Sequence, residues 1–193
     1  MAELNKAGCT IMPYQIKDEE IIGMSTMQEG SLLNTDYVNL FDKQNIQSAL
    51  ESTLKTKYWK LTKFDLVINK PSVDKRRWGL ANNYSEIMDY DAGAKSATVI
   101  IALDDLFENS GAMLWVPYSY KLHTFPAIQK LSKPFFEDPV SGKIYDMKKR
   151  FAVMRVGDVC VMNGLLWRSV GLNTTEEPTR MLIATFEAEE TEE

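Results

Sequence analysis

Histidine is almost absent from this sequence, since the 193 residues contain only one, His123. A single imidazole cannot supply a three-histidine zinc site or the two-histidine, one-carboxylate set of a non-haem iron site. Conventional metallohydrolase or iron chemistry would therefore need an unusual ligand set. For His123 itself, a place in a solvent-facing loop is the commoner role, and a catalytic role is the alternative.

Cysteine is also scarce, with only Cys9 and Cys160. Two cysteines so far apart give no disulfide framework and no paired zinc ligands, so the sequence predicts a reducing, cytoplasmic setting. Cys160 lies in an apolar run and is interpreted as a small buried hydrophobic residue. No stretch approaches about 18 uninterrupted apolar residues, and the N-terminus lacks an apolar signal-peptide core. We therefore expect neither membrane insertion nor secretion.

A surplus of basic residues is missing as well. The chain has 27 Asp and Glu against 22 Lys and Arg, a net charge of −5. Glutamates crowded into residues 187–193 account for this charge, so we expect a nearly neutral folded body over 1–186 and a disordered acidic tail. Nucleic-acid binders normally carry excess Lys and Arg for phosphate contacts. No nucleic-acid partner is expected.

What the sequence does contain is the pattern of one globular domain, with 45% hydrophobic and 25% charged residues. Residues 1–40 show little periodicity and are predicted to form an irregular lead-in. The four-residue spacing of Ile46, Leu50 and Leu54, with Asp42 ahead as an N-cap, predicts an amphipathic helix over 43–57.

The remaining apolar runs are short and β-branched or aromatic, which is typical of antiparallel β-strands. These runs span residues 61–68, 97–103, 112–116, 151–156, 159–162 and 181–186. Residues 124–150 form a long insertion, for which a lid over a pocket and a simple surface excursion are both open.

Two segments resemble a known family. Residues 103–121 read LDDLFENSGAMLWVPYSYK and residues 156–180 read VGDVCVMNGLLWRSVGLNTTEEPTR. They look like the core hairpin and the C-terminal signature of the phytanoyl-CoA dioxygenase family of Fe(II)/2-oxoglutarate oxygenases, and the resemblance covers roughly residues 60–187. It implies a mainly β fold, a double-stranded β-helix or cupin-like jelly-roll barrel with a flanking N-terminal helix and the active site in the barrel mouth.

The family's metal ligands are replaced in this chain. The family implies two histidines and one carboxylate on iron, and an arginine on the last core strand that pairs with 2-oxoglutarate, a position that Arg180 matches. The C-terminal metal histidine corresponds to Arg168, whose guanidinium cannot ligate iron. The window for the other ligands, residues 79–91, contains no histidine but keeps three carboxylates, Glu86, Asp89 and Asp91.

The resemblance with these replacements implies a degenerate member that uses no metal and no cofactor. We expect Arg168 to occupy the former metal position and to pair with one of those three carboxylates. As a first hypothesis, the protein acts on a small organic substrate in an isomerase, cyclase or lyase step of a biosynthetic pathway. Arg168 would act as electrostatic stabiliser, and one of the three carboxylates as acid or base.

The candidate substrate-binding residues are Trp78, Trp115, Tyr120, Trp167, Asn173 and Arg180. Barrel packing is an equal alternative for Trp115 and Trp167, and a structural ion pair is an equal alternative for Arg180. A small-molecule substrate is the expected partner, and a homo-oligomer is left open.

Two other functions remain open. A non-enzymatic pseudo-oxygenase, serving as a scaffold or as a subunit of an assembly, predicts a barrel filled by its own side chains. An atypical Fe(II)/2-oxoglutarate dioxygenase, with iron held by His123 and carboxylates, is the weaker alternative because one imidazole with oxygen ligands selects poorly for Fe(II).

Overall fold

Short extended segments form two facing antiparallel sheets in the computed structural model, which describes residues 7–24, 35–72, 96–124, 135–138, 141–146 and 148–189. The larger sheet contains, in spatial order, β1 (Cys9–Met12), β8 (Val159–Asn163), β3 (Ser96–Ala102), β10 (Thr179–Ala188) and β2 (Trp59–Asn69). The smaller sheet contains β7 (Arg150–Ala152), β4 (Met113–Trp115) and β9 (Arg168–Val170). The insertion carries a separate hairpin of β5 (Phe135–Glu137) and β6 (Ile144–Asp146).

The larger sheet has a buried layer on each side, because successive side chains of a strand point to opposite faces. Val99, Val161 and Leu182 face the helical side and pack with Ile46 and Leu50 in what we call the outer core. On the other face, side chains pack against the smaller sheet in what we call the inner core. The fold is therefore mainly β, a cupin-like jelly roll with a flanking N-terminal amphipathic helix, as the resemblance implied.

The prediction of an irregular lead-in over 1–40 is wrong for the described part of that stretch. β1 lies at one end of the larger sheet, where Cys9 is opposite Met162 and Met12 is opposite Val159. A short helix, α1 (Asp18–Met24), and a 3-10 helix (Thr35–Asp42) follow. β1 escaped detection because it is only four residues long and lacks the longer β-branched run that marks β3.

The predicted amphipathic helix exists but is shorter than the expected 43–57. It is α2 (Gln44–Leu54), and its buried residues include the three that define the spacing. Lys43 precedes the first turn, whereas Asp42 ends the 3-10 helix and so is not the N-cap. Lys55 ends α2 in the left-handed conformation, with φ 58°, and donates its backbone N–H to Glu51 O.

Two other expected boundaries differ from the structure. The run 151–156 is not one strand, because after β7 only Met154 pairs further, in a bridge with Leu106. β10 continues beyond 186, and Glu187 pairs with both Lys60 and Ser96, so the acidic segment begins inside the sheet. Among the described residues, no helix is both long and apolar enough to cross a bilayer.

Candidate functional site

The inner core occupies the space between the two sheets, and its described side chains are mostly apolar. Ile100, Cys160 and Met181 come from the larger sheet, and Met113 and Trp115 come from the smaller one. The side chains that fill this space and are no more than 3% exposed include Ile100, Leu106, Met113, Met154, Met162, Leu166 and Met181. The resemblance to the family implies an active site at the mouth of this space.

Arg168 is a charged side chain within this apolar space. It begins β9 directly opposite Trp115 of β4, and it is only 9% exposed. Its Nη1 donates to Gly164 O at 3.1 Å and to Leu166 O at 3.4 Å. We call the end of the barrel where β4 ends and β9 begins the barrel mouth.

The turn that leads into β9 fixes the position of Arg168. Gly164 donates its N–H to Ser96 O at 2.8 Å, and a Cβ at this position would overlap the Ser96 side chain. Ser119 Oγ accepts a hydrogen bond from the backbone N–H of Trp167 at 2.7 Å. The same hydroxyl donates to Val116 O at 2.8 Å. The segments on either side of Arg168 are therefore tied to the larger sheet and to the end of β4.

Two indole N–H groups near Arg168 lack acceptors. Trp115 is 2% exposed and Trp167 is half-buried, yet Nε1 of each is buried without a hydrogen-bond partner in the described part of the chain. A buried donor without an acceptor typically costs about 1–3 kcal/mol. Both side chains were expected to line a pocket or to pack in the barrel, and packing alone leaves these donors unsatisfied.

Tyr120 lies at the edge of the barrel mouth, in a 3-10 helix over Ser119–Thr124. The pKa of its phenol is raised, mainly by burial and to a smaller extent by the neighbouring phenols of Tyr118 and Tyr145. Lys121 Nζ lies 5.5 Å from the Tyr120 ring centroid and 5.3 Å from that of Tyr145. Tyr145 is on β6 and its ring lies 5.0 Å from Tyr118, so the hairpin of the insertion packs against the barrel mouth.

Arg180, expected to bind an anionic ligand, faces the outer side of the sheet. Within β10 it shares its face with Leu182, whereas Thr179 and Met181 point to the inner side. Its Nε and Nη2 bind both oxygens of Asp104, at 2.9 and 2.8 Å, and Asp104 Oδ2 also accepts the Arg180 backbone N–H at 2.8 Å. The ion-pair alternative is therefore the one that the structure shows.

Asn173, another expected substrate ligand, is fully buried and organises its own loop. Its amide nitrogen donates to Asn69 O and Glu177 O, at 2.9 and 2.8 Å. Its amide oxygen accepts the N–H and the hydroxyl of Thr175, at 3.0 and 2.6 Å. Because both amide hydrogens and both acceptor positions are occupied, Asn173 has no group left for a ligand.

The other expected site residues lie outside the described residues: Trp78, Glu86, Asp89 and Asp91. The proposed pairing of Arg168 with a carboxylate therefore stays a prediction. Two residues without a predicted role make contacts in this region: Asp104 binds Arg180, and Cys9 Sγ lies 3.3 Å from Cys160 Sγ. Asp104 lies in the hairpin segment that resembles the family, but its partner 76 residues away is visible only in the fold.

The residues present do not fit Fe(II) and 2-oxoglutarate. Arg168 replaces one imidazole with a group that has no lone pair to donate, and residues 79–91 contain no histidine. In the described part of the chain, no three His, Cys, Asp or Glu side chains come together as a metal set. Arg180, the expected partner of 2-oxoglutarate, points away from the inner core and is held by Asp104.

Comparison with solved structures shows the same fold. The chain superposes on the α-ketoglutarate-dependent epimerase SnoN from nogalamycin biosynthesis with a TM-score of 0.67 and 16% identity, covering 97% of this chain and 81% of that one. The carbocyclase SnoK of the same biosynthesis gives 0.60 and 12%, covering 96% and 81%. HygX from Streptomyces hygroscopicus, solved with nickel, 2-oxoglutarate and hygromycin B, gives 0.59 and 12%, covering 97% and 85%.

Sequence comparison gives the family. A comparison with curated proteins finds no match. The sequence profile described as Phytanoyl-CoA dioxygenase (PhyH), however, matches residues 25–182, which is most of the chain and includes both segments of the resemblance. With its jelly-roll fold and this match, the chain belongs to the phytanoyl-CoA dioxygenase family.

Proposed function

We propose that this protein is an iron-independent member of its family, whose barrel mouth binds an anionic small organic molecule. The observation that carries the proposal is the Trp115 indole N–H, buried without an acceptor in the described residues and directly opposite the buried Arg168. A carboxylate or similar oxyanion would accept from the indole and pair with the guanidinium. Hydrogen bonds that involve charged groups contribute about 1.5–3 kcal/mol.

The reaction we propose is an isomerisation, cyclisation or elimination in a biosynthetic pathway. The role we assign to Arg168 is to stabilise negative charge that develops on the substrate. A separate acid or base is needed, and we assign it to one of Glu86, Asp89 and Asp91. Trp115, Trp167 and Tyr120 would form the walls of the site.

Two features support this chemistry. SnoN is an epimerase and SnoK a carbocyclase, so proteins of this fold carry out epimerisation and ring closure, in their case with α-ketoglutarate. In this chain, the histidine positions of the metal site are replaced and Arg180 is held by Asp104, whereas Arg168 adds a fixed cation to the barrel. A cytoplasmic, reducing setting stays part of the proposal.

The packed inner core favours a second function. Four methionines and Leu166 fill the space between the sheets, as expected for a non-enzymatic pseudo-oxygenase that serves as a scaffold or a subunit. Under this alternative, the barrel mouth has no ligand and the unsatisfied indole donors are a cost of the altered site.

Indole resonances distinguish the two functions. The chain has four tryptophans, so ¹⁵N-indole spectra contain four signals that single Trp→Phe variants assign. During titration with succinate, citrate and 2-oxoglutarate, we expect a saturable shift of the Trp115 signal. We expect Arg168→Gln to weaken that binding by about 10–100-fold, which corresponds to about 1.4–2.8 kcal/mol.

A matched control removes a cation elsewhere. Lys63 lies on β2 with 68% of its side chain exposed, and Lys63→Gln should leave the titration unchanged. A Trp115 signal that stays in place with every carboxylate would favour the scaffold. An equal loss of affinity in both variants would show that net charge alone explains binding.

A further inference from the structure

The two cysteines of the chain, 151 positions apart in sequence, lie side by side in the inner core. Their Sγ atoms are 3.3 Å apart and share a hydrogen bond, and Cys9 and Cys160 are 1% and 0% exposed. Both are free thiols in this structure. Burial alone does not require two thiols in contact, because a small aliphatic residue would fill either position.

The register of the strands explains the contact. In the antiparallel pair of β1 and β8, Cys9 is opposite Met162 and Ile11 is opposite Cys160. The two cysteines are therefore diagonal neighbours on the inner face, two residues out of direct opposition. A disulfide needs its sulfurs about 2.05 Å apart, so the sulfurs would have to approach by little more than 1 Å. The backbones of a diagonal pair, typically about 7–8 Å apart, would have to move closer as well.

We propose that Cys9 and Cys160 form a reversible intrachain disulfide that fastens β1 to the barrel. β1 is the end strand of the larger sheet in the described part of the chain, with β8 as its neighbour. The bond would join residues 9 and 160 and close almost the whole folded body into one loop. Long loops are those in which a cross-link restricts the unfolded chain most.

The oxidant is a small-molecule disulfide such as oxidised glutathione. The thiolate of one cysteine attacks it, forms a mixed disulfide and releases one thiol. The second cysteine, as thiolate, then attacks the mixed disulfide at the first protein sulfur and releases the second thiol. In total, the two protein thiols lose two protons and two electrons. The glutathione disulfide takes up these protons and electrons and becomes two thiols.

The environment makes this exchange slow and dependent on opening of the strand. The hydrogen bond with Cys9 and burial hold the pKa of the Cys160 thiol well above its ordinary value, while the charge of Arg168 acts in the opposite direction. Since the thiolate is the attacking form, the closed barrel protects the pair. Displacement of β1 from β8 exposes both sulfurs together.

The test is refolding of the full chain from denaturant in buffers with graded ratios of reduced to oxidised glutathione. Refolding starts from the unfolded chain, so burial does not limit the access of glutathione to the two thiols. Samples are alkylated under denaturing conditions and weighed by intact mass spectrometry. We expect a monomer that has lost two hydrogens, takes up no alkylating agent and regains two reactive thiols after reduction. Its unfolding temperature should exceed that of the reduced form by about 5–10 °C.

Cys9→Ser and Cys160→Ser are the matched controls, because each leaves one thiol that can form only a glutathione adduct or a link between chains. If the unmodified chain takes up glutathione or dimerises as readily as these variants, the proposal is overturned. The proposal is also overturned if both thiols of the unmodified chain stay reduced at glutathione ratios that produce adducts in the variants. A lower unfolding temperature for the oxidised chain than for the reduced chain would overturn it as well.

Discussion

At the scale of single residues, one step along a strand decides which side chain meets the barrel interior. Thr179 and Arg180 are adjacent in the segment that resembles the family, yet Thr179 is buried on the inner side, where its hydroxyl donates to Ser110 O at 2.6 Å. Arg180 lies on the opposite face with Asp104. A match of sequence segments aligns a residue with its family counterpart only to within about one position. In a strand, a shift of one position moves the side chain to the other face of the sheet, so the match does not decide which face it occupies.

The Arg180 ion pair should stabilise the folded chain. We expect Asp104→Asn to lower the free energy of unfolding by about 1.5–3 kcal/mol, because it removes a two-pronged, partly buried pair and weakens the bond to the Arg180 backbone. Urea denaturation measures the change. Asp65→Asn, which breaks the exposed Lys63 pair at 3.0 Å, is the control and should cost less than about 0.5 kcal/mol. Equal effects of the two variants would contradict this role.

At the scale of elements, the sequence predicts those marked by a regular spacing or by a clear β-branched run, such as β3, and misses the four-residue β1. The spacing of Ile46, Leu50 and Leu54 marks α2 because only one of its faces packs against the outer core. β1 has no such mark, since Cys9 faces the inner core and Met12 the outer core. Asn173 was likewise misread as a ligand, because its partners at 69 and 177 are brought to it by the fold.

The end of β10 allows a second test at this scale. Glu187 pairs with Lys60 and Ser96, and Glu189 donates its N–H to Tyr58 O at 3.0 Å. Removal of residues 187–193 should therefore cost about 1–3 kcal/mol of unfolding free energy, because several backbone hydrogen bonds are lost. A chain that ends at Glu189 should lie within about 0.5 kcal/mol of the full chain. Equal stability of all three chains in urea would show that this end of β10 contributes nothing.

At the scale of the whole molecule, the family fold is kept while its metal chemistry is not supported by the residues present. The jelly roll and its two sheets could be predicted from the two matching segments and from the short apolar runs. The contents of the barrel could not, because they depend on which alternate residues of distant strands face one another. Met113, Met162 and Met181 meet there from three different strands.

Iron loading tests this separation of fold from chemistry. After anaerobic incubation with Fe(II) and removal of free metal, we expect elemental analysis to find no stoichiometric iron. The chain offers one histidine and has Arg168 where the resemblance implies a ligand histidine. Arg168→His should not restore binding, since the second imidazole is still missing. One tightly held iron per unmodified chain would contradict the proposed function.

The order of strands in the larger sheet also determines when that sheet can form during synthesis. β1, near the beginning of the chain, pairs with β8, and β3 lies between β8 and β10. Loop closure over about 150 residues must therefore precede the first pairing of β1, and contacts at such sequence separation slow folding. The ribosome must deliver residues up to about 163 before β1 or β3 acquires its neighbour. Until then, both apolar strands lack their partners, and unpaired apolar strands of this kind are prone to aggregate.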